Sequence, residues 1–151
     1  ANLYLESKDM VTYKKLISEA LEKNPNDVDL IFNLGVVSAG AKNYSEAEKF
    51  YTKVMELNPN YINAYINMAA MKLDDEKAII DEMNKLGTSS EDMKRYNVLK
   101  KKREDLFRST IPYLEKAVAL EPKNVDVAKT LLNVYSALEM TTEYKALKAK
   151  M

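Results

Sequence analysis

Four adjacent cations, Lys100-Lys101-Lys102-Arg103, are the densest charge in the sequence and the first place to look for chemistry. Such a run can meet phosphates, as on nucleic acid. Against that reading, Lys+Arg and Asp+Glu both number 23, so no net field draws the molecule towards an anionic polymer or membrane. The 23 acidic side chains could supply the paired carboxylates of glycoside chemistry, but they are spread along amphipathic stretches and no pair stands out. The chain has no His and no Cys, which removes imidazole acid/base catalysis, thiol nucleophiles, disulfides and the zinc sites built from those ligands. Gly35, Gly40 and Gly87 are the only glycines, too widely separated to cradle a phosphate. Ser/Lys pairs occur without any supporting motif, and the eight Met residues at helical spacing read as core fillers before a promiscuous groove. The expectation is a non-enzymatic chain with no catalytic, cofactor-binding or metal-binding residues.

What positions these side chains is a repeat. Pro25 and Pro59 lie 34 residues apart, each within an Asn-Pro-Asn triplet that follows an amphipathic run. That period is the one a helix-turn-helix solenoid shows. A third corner, Glu121-Pro122-Lys123-Asn124, comes 63 residues after Pro59, so the third repeat holds 29 residues more than one period. These extra residues read as helix: Asp75 to Leu86 and Glu91 to Thr110 contain no Pro and no Gly. Gly87 should stop the first arm. Thr88 with Glu91, or Ser89 with Asp92 one residue on, offers a capping box that starts the second arm near residue 90. Ile79, Met83 and Leu86 on one arm and Met93, Tyr96, Leu99 and Leu106 on the other give each an apolar stripe for its partner. The product is an antiparallel hairpin, projecting roughly 15 to 20 Å if each arm adds some eleven to fourteen residues. With its turn at 88–89, the cationic run falls opposite Asp74, Asp75 and Glu76, where opposed charges set the register. A protein-binding patch and a phosphate contact are the alternatives for that run. Pro112 should kink its helix or break it in two.

The stretch Val28 to Tyr61 resembles the tetratricopeptide repeat family: Asn33-Leu34-Gly35, then Asn43-Tyr44-Ser45-Glu46-Ala47-Glu48, Tyr51, Val54 and Pro59 follow its pattern. Gly35 would permit close approach of the paired helix, Ala47 would sit where the two helices cross, and Tyr51 would fill the gap to the next repeat. The resemblance implies an all-α, right-handed α-solenoid of helix-turn-helix repeats spanning 1–151 as one domain. Its parts would be a truncated repeat one (1–27, its opening helix upstream of Ala1), repeat two (28–61), repeat three (62–124, with the hairpin insertion at about 76–104) and a capping repeat (125–151). In the last repeat Leu132 stands where Gly35 sat, Tyr144 where Ala47 sat and Lys148 where Tyr51 sat. The long paired extension followed by Ile111-Pro112-Tyr113-Leu114-Glu115-Lys116-Ala117 also resembles a group of bacterial, often exported members.

In this family the first helix of each repeat lines a concave groove. Carried over, the groove places hold Phe32, Asn33 and Val36, then Asn63, Ile66 and Asn67, then Lys129 and Asn133. The amides of Asn33 and Asn67 can each donate to and accept from a peptide backbone. The family's carboxylate clamp for chaperone tails is not expected, because its cationic places after Asn33 hold Asn63 and Asn67. The implied function is a scaffold holding a peptide or protein segment. The alternative is assembly with a second copy through the hairpin or the open first repeat. No nucleic-acid partner and no membrane insertion are expected, since the longest apolar run is far too short to span a bilayer. Exported and cytoplasmic locations are both compatible with the absence of Cys.

Overall fold

A computed structural model describes the backbone of residues 2–151 and the side chains from residue 11 onward. The expected truncation of repeat one before Ala1 falls outside the described residues. The described chain is all-α: α1 (Asn2–Lys23), α2 (Val28–Gly40), α3 (Tyr44–Leu57), α4 (Ile62–Asn84), α5 (Ser90–Leu120), α6 (Val125–Ala137) and α7 (Thr141–Ala149). Two compact units divide after Asn67, within α4.

In the first unit the corners are built from Asn and Asp side chains that satisfy orphan helix donors. The Asp27 carboxylate accepts from the Leu30 backbone N–H at 3.3 Å and starts α2. Asn43 accepts from the Glu46 N–H at 3.4 Å and returns a side-chain bond to the Glu46 carboxylate at 2.7 Å. The same carboxylate takes Lys14 of α1 at 2.6 Å, so one Glu serves a cap and an interhelical tie. Apolar residues at helical spacing then close the unit. α2 buries Ile31, Leu34, Gly35, Val37 and Ser38, and α3 buries Ala47, Tyr51 and Val54. A Cβ on Gly35 would lie 2.6 Å from Tyr51 Cε1, so the absence of a side chain at 35 is what admits the ring. Ile31, Val54 and Ala64 form a buried cluster against which Leu21, Phe32, Phe50 and Tyr61 pack.

The second unit runs from Met68 on α4 through α7. The α4–α5 connection uses the second of the two capping signals: Ser89 Oγ accepts from the Asp92 N–H at 3.1 Å, and Asp92 Oδ2 accepts from the Gly87 N–H at 2.9 Å. α4 stops at Asn84, before Gly87, because its last turn tightens into bonds from Lys85 N to Glu82 O and from Leu86 N to Met83 O. α5 is one continuous helix through Pro112, so the break is ruled out. Arg108, whose carbonyl loses its donor there, and Pro112 are both exposed, which leaves that carbonyl to water. Leu99, Phe107, Thr110, Leu114 and Ala117 form the buried face of α5, and the Thr110 hydroxyl donates to the Phe107 carbonyl at 2.7 Å. Asn124 caps α6 by accepting from the Val127 N–H, and Tyr135 on α6 donates to Glu115 Oε1 on α5 at 2.6 Å.

One expectation about the arms is corrected. Met93 and Tyr96 do not lie in a stripe facing α4; they are 61% and 46% exposed, whereas Leu99 is fully buried and Ile79 nearly so. The facing positions are instead Arg95, Leu99, Arg103 and Leu106. Arg95 and Arg103 lie on the Leu99 face and reach Glu82 and Glu76 on α4.

Candidate functional site

In the first unit the start of α4 is held beside α2. Tyr61, just before α4, donates to Asp29 Oδ1 at 2.8 Å, and its ring lies 5.1 Å from that of Phe32. Burial pushes the Tyr61 hydroxyl up to about 12, and the Asp29 carboxylate adds to that through its hydrogen bond and its charge. Phe32 is half-buried, and its ring also lies 5.8 Å from that of Tyr51. Tyr51 is itself raised by burial, an effect partly offset by the nearby Asn67 side chain. Asn67 therefore lies close to the Tyr51 hydroxyl within the unit.

Asn33 differs. It is half-buried on α2, and its side chain has no hydrogen-bond partner among the described residues. Beside it, Val36 is 42% exposed, while on α4 Asn63 is exposed and Ile66 half-buried. This face offers a free amide next to apolar surface, a chemistry of hydrogen-bonding and burial with no nucleophile or acid/base pair in it. In the second unit, Lys129 and Asn133 are exposed one helical turn apart on α6.

Of the cationic run, Arg103 gives its Nε and Nη2 to Glu76 Oε1 at 3.0 and 2.8 Å, as the opposed-charge register requires, and stands 5.0 Å from the Phe107 ring centroid. Lys100, Lys101 and Lys102 are exposed. The second tie, Arg95 to Glu82 at 2.5 Å, was not anticipated. Setting 76 against 103 across a turn at 88–89 already brings 82 close to 95, so the signal was there in the register. Among the described residues no group of three or more side chains could hold a metal ion, and no helix is long and apolar enough to cross a membrane.

Residues 28–61 match the family model for the tetratricopeptide repeat. No curated protein matches the chain in sequence. Among solved structures, MamA of AMB-1 aligns over 97% of this chain at 18% identity with a TM-score of 0.61; the chain spans 64% of that MamA chain. A protein from Bacteroides ovatus aligns over 91% of this chain and 69% of its own at 18% identity, with a TM-score of 0.65. The TPR2B domain of yeast Sti1, solved as a pHsp70 complex, aligns over 93% of this chain and 90% of its own at 16% identity, with a TM-score of 0.56. The chain thus contains a tetratricopeptide repeat at 28–61 and has the all-α fold of tetratricopeptide solenoids.

Proposed function

We propose that this chain is a protein-interaction module rather than an enzyme, holding a peptide or protein segment on the α2 and α4 face of its first unit. The observation that carries the reading is Asn33: a half-buried amide with no partner among the described residues, beside the exposed Val36. A polar group kept in that position is best satisfied by a ligand that donates and accepts at once, as a peptide backbone does. Sti1 TPR2B, solved with pHsp70, supports the class of function through its fold and leaves the ligand open.

A peptide-library selection on the purified chain, followed by calorimetry on the selected peptide, tests this. Asn33→Ala is expected to weaken binding about tenfold, near 1.4 kcal/mol. Asn67→Ala is a poorer probe, because Asn67 also lies close to the Tyr51 hydroxyl. Equal affinity for wild type and Asn33→Ala would remove this face from the reading. A second reading, assembly of copies through the α4–α5 arm, is favoured by the exposure of Met93, Tyr96 and Val98. Sedimentation velocity over a wide concentration range checks it, and a strictly monomeric chain counts against it.

A further inference from the structure

The α2–α3 and α6–α7 corners share one backbone design. Asn43 N bonds Ser38 O, and Met140 N bonds Tyr135 O, both at 2.8 Å. Lys42 and Glu139 both turn the chain with positive φ, 62° and 57°. Corresponding positions therefore carry different side chains: Gly35, Ser38 and Ala47 at the first corner become Leu132, Tyr135 and Tyr144 at the second. At the first corner Ser38 and Ala47 are buried and the helices close on each other. At the second corner Leu132 and Tyr135 are buried in turn, while Tyr144 is only half-buried. α7 buries none of its residues, whereas α3 buries three. A cleft of about 530 Å³ opens in the corner, lined by Tyr135, Ser136, Glu139, Met140, Thr141 and Tyr144.

The chemistry of that cleft has a sign. None of its lining residues is cationic, and Glu139 is one of them. Glu115 accepts the Tyr135 hydroxyl at 2.6 Å, and the charges of Glu115 and Glu143 help burial to raise that hydroxyl above the ordinary tyrosine range. The Tyr144 ring already attracts a cation: the Lys148 ammonium stands 5.7 Å from its centroid, within cation–π range. The site thus has an aromatic wall, a thioether and a carboxylate rim, and the cation that stands over its wall is the exposed Lys148 side chain from the next turn.

We propose that the α6–α7 corner cleft is a second binding site, separate from the α2 face, that takes the cationic side chain of a lysine or arginine in a partner peptide. The ammonium or guanidinium would displace Lys148 from Tyr144 and pair with Glu139, while its aliphatic stem lies along Met140.

The test is a titration of chain labelled with 13C at the tyrosine ε positions, followed by NMR. Acetyl-Ala-Arg-Ala-amide is expected to shift the Tyr144 signal saturably, and the neutral isostere acetyl-Ala-citrulline-Ala-amide to bind at least tenfold more weakly. Propylguanidine, a free guanidinium compound of the same single charge, should bind more weakly than the arginine tripeptide. Glu139→Gln should weaken the tripeptide several-fold, and Lys148→Gln should tighten it about twofold by removing the competitor; both residues are exposed, so neither change threatens the fold. Citrulline binding as well as arginine, indifference to Glu139→Gln, or a Tyr144 signal that does not move would each overturn the proposal. Propylguanidine binding as tightly as the tripeptide would overturn its assignment to a peptide.

Discussion

Tyr51→Ala is expected to lower the free energy of unfolding by about 3–5 kcal/mol, read from urea titrations followed by circular dichroism. The ring is 1% exposed and sits in the space left by Gly35, so its removal opens a cavity that neighbouring side chains cannot fill without shifting α2. Tyr51→Phe keeps the ring and should cost about 1 kcal/mol or less. Gly35→Ala approaches the same contact from the other side. Alanine gains about 1 kcal/mol of helix propensity at 35, but its Cβ would lie 2.6 Å from the ring, and overpacking of that kind costs about 1–3 kcal/mol. The two changes are therefore coupled: Gly35→Ala should destabilise the wild type and stabilise the Tyr51→Ala background. Additive effects would mean that Gly35 and Tyr51 do not share the space described.

Leu99→Ala should cost about 2–5 kcal/mol by the same measurement, because Leu99 is fully buried on α5 between the facing residues Arg95 and Arg103. Tyr96→Ala, three residues away and 46% exposed, should change stability by about 0.5 kcal/mol or less. The contrast separates two rotations of α5. A helix that faced α4 with Met93, Tyr96 and Leu99 would lose comparable stability at 96 and at 99. The rotation seen here loses it at 99 alone.

That contrast also marks where sequence reasoning reached and where it ended. The corner prolines, the capping side chain Ser89, and the Gly35/Ala47/Tyr51 set were all legible, because each acts over one helical turn or at one position of a 34-residue period. The rotation of α5 was not. Positions 93, 96 and 99 fit a helical stripe as well as 95, 99 and 103 do, and only the packing between α4 and α5, with Leu99 buried and Arg95 and Arg103 reaching Glu82 and Glu76, distinguishes them. The groove face was legible as a set of positions, but the inequality of its two amides was not. That Asn67 lies beside the Tyr51 hydroxyl while Asn33 has no side-chain partner among the described residues depends on contacts between helices.

By itself, then, the sequence determined an all-α repeat chain, its corners, its uncommitted charge and its lack of His and Cys chemistry, since these follow from composition and local spacing. Tertiary structure alone decided which polar groups are used up internally, which face of α5 is covered, and that a cleft between Tyr135 and Tyr144 opens at a corner whose counterpart, at Ser38 and Ala47, is closed. The physical reason is that side-chain volume and hydrogen-bond partnership are settled between helices. A periodic pattern reports what each helix offers, and packing decides what is left over for a partner.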